Sequence, residues 1–266
     1  MRFNKWDIVS LLEKGVKRRD ISRLISGKGL GLQMGLFGRE AVGNKVARYM
    51  KAGVDVVVIG DKNYPEQLAQ IADPPVALFY KGDIKILKEK CIGVVGSRDQ
   101  SERGIKETKR VVSELVNSAV REQRGKGFVI VSGLALGTDA QAHRVCLENN
   151  GKTVAVLPCG LDRIYPASHK ILAEDIVRSG GCLISEYPFK TEIAKFRFLE
   201  RNRIISGLSR AVVVIEAGKP SGAVATANFA ADQGREVWVV EASVGEKNSE
   251  GVLNLIKDGQ LLFRVY

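Results

Sequence analysis

The stretch Cys91–Ser101, which reads CIGVVGSRDQS, decides the fold. Its first half, Ile92–Val95, is a short apolar and largely β-branched run that ends at Gly96. A glycine after such a run allows a tight turn, and the segment that follows, Ile105–Val116, has apolar residues at helical spacing. The stretch therefore predicts a buried strand, a tight turn and the start of a helix.

The turn predicted after this strand is suited to bind an anion. Backbone N–H groups and the positive end of a helix dipole attract negative charge there, and an arginine adds planar, permanently charged donors. We therefore predict a phosphate contact at Gly96, Ser97 and Arg98. An alternative interpretation is an ordinary strand–helix turn with a surface arginine, because short glycine motifs produce many false positives.

Strand-like and helix-like segments alternate along the rest of the chain. Strands buried on both faces read as continuous apolar runs, and helical crossovers between them imply a parallel sheet. We therefore predict an α/β fold with a doubly wound, mostly parallel sheet, whose core covers residues 90–266 and whose extra strands lie in residues 53–89. The predicted strands are Val54–Ile59, Val76–Tyr80, Ile92–Val95, Phe128–Val131, Val154–Leu157, Cys182–Ser185, Ala211–Ile215 and Glu236–Val240.

The charge of the chain suggests an anionic partner. It carries 41 Lys and Arg against 30 Asp and Glu, a formal net charge of +11. Residues 1–50 contain eleven basic and four acidic residues, so seven of the excess positive charges lie there. Apolar residues at helical spacing predict a small basic helical domain over residues 1–52. This domain is either an auxiliary contact for a nucleic acid or a partner, or the solvated face of a small bundle.

Other features of the composition narrow the class of protein. The four cysteines are widely spaced without a CxxC pair, which favours reduced core thiols, and two histidines leave little material for a zinc site or a catalytic triad. We therefore expect no metal and no cofactor. No apolar run approaches the roughly 18 residues of a membrane span, and the chain begins without a hydrophobic signal region. These features predict a cytoplasmic protein without a membrane span.

The loops after the strands are the predicted binding site, because ligands of doubly wound sheets bind beyond the carboxyl ends of the strands. Several of these loops are rich in glycine and serine and carry Arg or Lys. Together they describe an anionic site longer than one phosphate, and Phe196 and Phe198 among the arginines suit base stacking. The residues predicted to bind DNA or phosphate are Gly96, Ser97, Arg98, Ser132, Gly133, Gly137, Arg163, Arg201, Asn202, Arg203, Lys219, Ser221, Gly222 and Thr226.

Some polar residues of these loops have a structural alternative. Arg201 and Arg203 are predicted to bind the ligand, and pairing with Glu186 or Glu200 is the other interpretation. His143 is predicted to fix the start of a helix by a hydrogen bond, because no nucleophile stands at motif spacing beside it.

A series of short motifs runs through nearly the whole chain. In chain order they are GDKNYPEQL, DPPVALFYKGD, GSR, SGLAxGxDxxAH, GLDRIYP, SEYP, RNRIISGLSR, SGAxxTA and SxGxNxLIxxG. This order resembles the DNA-processing protein A family, also called Smf, over residues 36–262. The combination of RNRIISGLSR with SGLAxGxDxxAH is far beyond chance.

The resemblance implies an extended Rossmann-like core that binds single-stranded DNA and forms a homodimer. It also implies a protein that helps to load a RecA-type recombinase during DNA recombination or natural transformation. The chain departs from the family pattern at three places. Leu136 stands where the family usually has Lys or Arg, Glu241 and Ala242 replace a usual Pro-Gly, and the chain ends at Tyr266 without a C-terminal winged-helix-like domain.

A rival hypothesis is a nucleotide-binding protein, or an enzyme of similar fold that splits the N-glycosidic bond of a nucleotide, as lonely-guy-like proteins do. Those enzymes carry a GGxGTxxE loop, in which Gly and Thr hold phosphate and Glu acts on the sugar. The comparable stretch here reads PSGAVATANF and lacks the carboxylate. We therefore favour a DNA-binding protein that is not an enzyme.

Overall fold

The computed structural model describes residues 4–25, 39–122, 127–219, 221–240 and 249–263. Strands and helices alternate through these residues, as the sequence predicts. The strands are β1 Asp55–Val58, β2 Ala77–Gly82, β3 Cys91–Val95, β4 Val129–Ser132, β5 Thr153–Val156, β6 Cys182–Ser185, β7 Ala211–Val214, β8 Glu236–Val239 and β9 Leu261–Leu262. The helices are α1 Lys5–Glu13, α2 Arg18–Ile25, α3 Arg39–Lys51, α4 Glu66–Ala69, α5 Glu102–Glu122, α6 Thr138–Glu148, α7 Lys170–Arg178, α8 Lys195–Leu208, α9 Gly222–Asp232 and α10 Glu250–Lys257.

The strands form one sheet in the order β1-β2-β6-β5-β4-β3-β7-β8-β9. From β6 to β9 all neighbours pair in parallel, whereas β2 pairs antiparallel with both β1 and β6. The prediction of a doubly wound, mostly parallel α/β sheet is therefore confirmed. The chain builds from β3 outward to β6 and then returns to place β7 on the other side of β3. A crevice opens at such a reversal, beyond the carboxyl ends of the two strands.

Helices cover both faces of the sheet because successive strand residues point to opposite sides. Val94 and Val213 belong to a buried cluster with α5 and α6. Val95 and Val214 belong to another, with α8, α9 and α10. All five residues of β3 are buried, which explains why this strand reads as an uninterrupted apolar run.

The front helices share the core of the sheet. Ile8 of α1, Ile21 of α2 and Tyr49 of α3 lie in the same hydrophobic cluster as Phe79 of β2. The Tyr49 ring stacks on Phe79 at a centroid distance of 5.4 Å and on Phe189 at 4.0 Å. The front helices thus bury apolar side chains in the same cluster as the sheet, and the domain boundary between residues 52 and 53 stays a prediction.

The four cysteines are free and buried, in agreement with the prediction of core thiols. Burial raises the pKa of the Cys159 thiol to about 11, so it stays protonated near neutral pH. In the part of the chain that the structure describes, no group of three or more His, Cys, Asp or Glu is placed to hold a metal ion. No helix among these residues is long and apolar enough to cross a membrane.

Candidate functional site

A cleft with a volume of about 750 Å³ opens beyond the carboxyl ends of β3 and β7. Its walls are the loop after β3, the loop between β4 and α6, and the first turns of α8 and α9. We call it the strand-end cleft. The predicted binding residues that line it are Gly96, Ser97, Arg98, Arg201, Asn202, Ser221, Gly222 and Thr226. The structure thus brings together residues that lie more than a hundred positions apart in the sequence.

Several predicted residues are not part of the cleft lining. Ser132 is buried, and its hydroxyl donates to the Val94 carbonyl oxygen at 2.7 Å. Arg163 and Lys219 are exposed. Leu136, where the family usually has a cation, is 51% exposed on the loop between β4 and α6.

Two glycines bring the first two loops together. Gly137 has a φ of +71°, and a Cβ added to it would lie 2.2 Å from the Ser97 carbonyl oxygen. A Cβ on Gly96 would lie 2.4 Å from Thr138 Oγ1. In this close approach the Thr138 backbone N–H donates to the Ser97 carbonyl oxygen at 3.0 Å. Gly137 therefore shapes the cleft by permitting contact between loops, and not by lining it.

Arg201 joins α8 to the ends of two strands. Its Nη1 donates to the carbonyl oxygens of Gly133 and Val156, both at 2.6 Å, and its Nε donates to Asn202 Oδ1 at 3.2 Å. Only 4% of Arg201 is exposed. A Cβ on Gly133 would lie 1.8 Å from Arg201 Nη1, so the guanidinium packs directly against that glycine. Arg201 lines the cleft, but its bonds to the Gly133 and Val156 carbonyl oxygens hold backbone and do not face the open space.

The Asp139 carboxylate fixes the loop between β4 and α6 through hydrogen bonds to its backbone. Its carboxylate accepts hydrogen bonds from the backbone N–H groups of Gly133 at 3.2 Å and Ala135 at 3.3 Å. Burial raises the pKa of Asp139 and lowers that of Arg201, and the attraction between the two opposite charges acts against both shifts. The base of the cleft thus contains a buried pair of opposite charges, and the exposed cations lie nearer its mouth.

The mouth of the cleft combines cations with aromatic rings. The Arg98 guanidinium carbon lies 5.3 Å from the centroid of the Phe198 ring, and Tyr165 meets that ring edge-on at 5.5 Å. Arg98 and Lys195 are exposed there. The residues predicted to bind DNA or phosphate do not include Tyr165 or Lys195. The motif GLDRIYP was a signal for Tyr165, and the alternation of basic and aromatic residues in KFRF was a signal for Lys195. Such a surface suits stacked bases and phosphates.

Two helices begin at the cleft and direct their positive ends into it. α8 follows Ala194, and α9 follows Ser221, whose hydroxyl accepts from the Ala223 N–H at 3.1 Å. N–H groups in the first turn of a helix have no acceptor within the helix and favour an anion. Thr226 Oγ1 donates to the Gly222 carbonyl oxygen at 2.9 Å, so this hydroxyl is bonded within α9.

Arg203, predicted to bind phosphate, lies outside the cleft lining and follows the alternative interpretation. Its Nη2 donates to Glu186 at 2.8 Å and its Nε to Asp73 at 3.0 Å. Arg203 is 5% exposed. The prediction needs correction because residues two apart on a helix point to different sides, so Arg201 and Arg203 cannot both face the cleft.

His143 has a structural role, although not at the start of a helix. Its Nδ1 lies 2.7 Å from Thr153 Oγ1, and the Thr153 hydroxyl donates to the Ile130 carbonyl oxygen at 2.8 Å. Nδ1–H is therefore the donor, and the bond fastens the middle of α6 to β5. Burial lowers the pKa of His143 to about 3, so the ring is neutral near pH 7.

Relatives by sequence agree on one family. Residues 55–264 match the family model described as DNA recombination-mediator protein A. The chain is 42% identical to DNA processing protein DprA of Streptococcus pneumoniae over 202 residues, which cover 76% of this chain and 68% of that protein. It is 40% identical to DNA processing protein DprA of Bacillus subtilis over 215 residues, which cover 80% of this chain and 69% of that protein.

Solved structures extend the similarity to three dimensions. The X-ray structure of DNA processing protein A from Streptococcus pneumoniae matches with a TM-score of 0.82 at 34% identity, over 99% of this chain and 95% of that one. DNA processing protein A from Helicobacter pylori, whose structure is described for its single-stranded DNA binding mode, matches with a TM-score of 0.67 at 29% identity. That match covers 78% of this chain and 89% of the other.

Proposed function

This chain belongs to the DNA recombination-mediator protein A family, and we propose that it binds single-stranded DNA in the strand-end cleft and acts as a recombination mediator, not as an enzyme. The observation that carries the proposal is the Phe198 ring at the mouth of the cleft, with Arg98 over it and Tyr165 at its edge. The single-stranded DNA binding described for the Helicobacter pylori relative supports it.

Each part of the cleft has a role in this proposal. Arg98 and Lys195 neutralise backbone phosphates, and the first turns of α8 and α9 add backbone N–H donors. A base stacks on Phe198 or Tyr165, which every base can do because every base has a π-face. Stacking on a side chain requires a base that is unpaired and splayed out, so the cleft selects a single strand over a duplex.

Binding to labelled single-stranded oligonucleotides is expected to show little sequence preference and a steep dependence on salt. The logarithm of the association constant should fall with the logarithm of salt concentration by about 0.7 per phosphate neutralised. Fluorescence anisotropy across a salt series measures this slope, with a duplex of the same sequence as the control. A preference for the duplex, or an affinity that salt does not change, contradicts the proposal.

Phe198→Ala is expected to weaken single-strand binding by about 1–3 kcal/mol, the value of one base stacked on an aromatic side chain. Phe196→Ala is the matched control, because Phe196 is 56% exposed on the same helix, has Arg197 over its ring and is not part of the cleft lining. Titration of both variants with one oligonucleotide compares them. An equal loss in the two variants places the stacked base elsewhere.

The family membership supports a further part of the proposal, which concerns partners. We propose that the protein forms a homodimer in the cytoplasm and helps to load a RecA-type recombinase onto the bound strand, in recombination and in natural transformation. Filament nucleation by a RecA-type recombinase on strands coated with single-strand binding protein tests this. Wild-type protein should accelerate nucleation, and Phe198→Ala should lose that effect in proportion to its loss of DNA affinity.

Hydrolysis of a nucleotide is the rival activity, and the residues that line the cleft bear on it. Gly222 and Thr226, which resemble the phosphate-holding residues of lonely-guy-like enzymes, do line the cleft. However, the comparable stretch, residues 220–229, reads PSGAVATANF and contains no carboxylate. Incubation with nucleoside monophosphates should therefore release no free base, and released base would favour the enzyme.

A further inference from the structure

The side of α8 away from the cleft contacts α2 through a cluster of charged and polar groups. Arg18 of α2 donates from Nη1 to Glu186 Oε2 and from Nη2 to Glu200 Oε1, the latter at 3.1 Å. Tyr187 donates its hydroxyl to Glu200 Oε2 at 2.7 Å, and Arg203 donates to Glu186 Oε2 at 2.8 Å. We call these five residues the Arg18 cluster. It joins α2 to the loop after β6 and to α8, the helix that carries the cleft residues.

The contacts of Arg18 are well protected from solvent. The Glu186 side chain is 1% exposed and that of Arg18 is 28% exposed. Burial disfavours the charged guanidinium, yet the attraction of Glu186 and Glu200 raises the pKa of Arg18 above its usual value. Glu186 lies on the loop after β6 and also accepts from Arg203, so Arg18 ties α2 to this loop through Glu186 and to α8 through Glu200.

The position of Glu200 on α8 explains why this contact bears on the cleft. Phe198 and Leu199 precede it, Arg201 and Asn202 follow it, and all four line the cleft. Each residue of an α-helix is turned by about 100° from the one before, so the contact at Glu200 restrains the rotation of α8 from a different side of the helix than Arg201. A small rotation of α8 would move the Phe198 ring away from Arg98.

We infer that Arg18 is a positioning residue for DNA binding: through Arg18, α2 holds α8 in the orientation that presents Lys195 and Phe198 to the strand, while Arg18 itself does not touch the DNA. The inference rests on the proposed function. It assigns the front segment a role other than a direct contact with nucleic acid. The two roles differ in what they do to the salt dependence of binding, because only a direct phosphate contact releases counterions.

Arg18→Ala should be compared with Arg19→Ala, which removes the same charge from the next residue, exposed on α2. We expect Arg18→Ala to bind single-stranded DNA about tenfold more weakly with an unchanged salt slope. Arg19→Ala should bind like the wild type. Arg18→Lys, which keeps the charge, should recover part of the affinity and also serves if Arg18→Ala does not fold. A salt slope lower by about 0.7 means that Arg18 contacts a phosphate, and it overturns the inference, as does unchanged affinity.

Hydrogen exchange gives a second measurement that does not depend on DNA. Backbone amides of α8 should exchange faster in Arg18→Ala than in the wild type, and at the wild-type rate in Arg19→Ala. Unchanged exchange in α8 overturns the inference. Failure of the wild-type protein to bind single-stranded DNA would instead overturn the proposed function, while the exchange result would still show whether Arg18 holds α8.

Discussion

Arg201→Ala is expected to lower the free energy of unfolding by about 3–5 kcal/mol, the largest loss that we predict for one substitution. The change removes the donors that satisfy the carbonyl oxygens of Gly133 and Val156 at the ends of two strands. It also leaves the buried carboxylate of Asp139 without the positive charge that acts on it. Urea unfolding followed by circular dichroism measures the loss.

Arg197→Ala is the matched control for this substitution. Arg197 lies on the same helix, with its guanidinium over the Tyr187 ring and a hydrogen bond to the Glu192 carbonyl oxygen on the surface. Its loss should cost less than about 1 kcal/mol, because exposed contacts of this kind contribute little. Equal stability of Arg201→Ala and the wild type would contradict the structural role that we assign to Arg201.

Gly133→Ala tests the same contact from the other side. The added Cβ would lie 1.8 Å from Nη1 of the buried Arg201 guanidinium. The guanidinium must therefore move and lose its bonds to the strand ends, and we expect a loss of stability comparable to that of Arg201→Ala. In the double variant the two losses should not add, because both break one set of contacts.

Acidification from about pH 7.5 to about pH 5 is expected to reduce stability by about 2 kcal/mol through His143 alone. Burial lowers the pKa of His143 from 6.5 in the free side chain to about 3 in the folded protein. As the pH falls below about 6.5 the unfolded chain binds a proton that the folded protein does not, so the unfolded state gains stability. The stability that neutral His143 contributes is fully present above about pH 6.5, and it is lost as the pH falls toward about 3.

Asp139 complicates the total pH dependence, so a variant is needed. Burial raises the pKa of Asp139, which makes the folded state the better proton acceptor and changes stability in the opposite direction on acidification. His143→Gln keeps an amide donor toward Thr153 but does not titrate. The difference in pH dependence between wild type and this variant isolates His143. If the free energy of unfolding changes by the same amount in the two proteins between pH 7.5 and pH 5, the result contradicts a buried neutral histidine.

The strands could be predicted closely because each is a local pattern. Cys182–Ser185 was predicted with its observed bounds, and β3 with a difference of one residue. A strand buried on both faces needs a continuous apolar run, which the sequence displays directly. The antiparallel pairing of β2 with β6 could not be inferred in this way, because nothing local to β2 specifies which edge of the sheet it joins.

The site was predictable to the extent that it follows from topology. Carboxyl ends of parallel strands meet at one edge, so Arg98 and Ser221 had to lie near each other once the alternation of strands and helices was recognised. The motif GLDRIYP marked Tyr165 as a candidate, but its contact with Phe198 was not predictable, because that contact depends on how the loop after β5 folds across the cleft. Loop conformation is decided by contacts with the rest of the fold.

By itself, the sequence determined the fold class, the family and the edge of the sheet that carries the cleft, because these depend on periodicity, motif order and the direction of parallel strands. Only the tertiary structure decided which cation faces the open space. Arg98 remains exposed over Phe198, whereas Arg201 is bound to strand-end carbonyl oxygens and Arg203 to Glu186. The physical reason is that a guanidinium goes to the acceptors within its reach, and those acceptors come from parts of the chain that folding alone brings together.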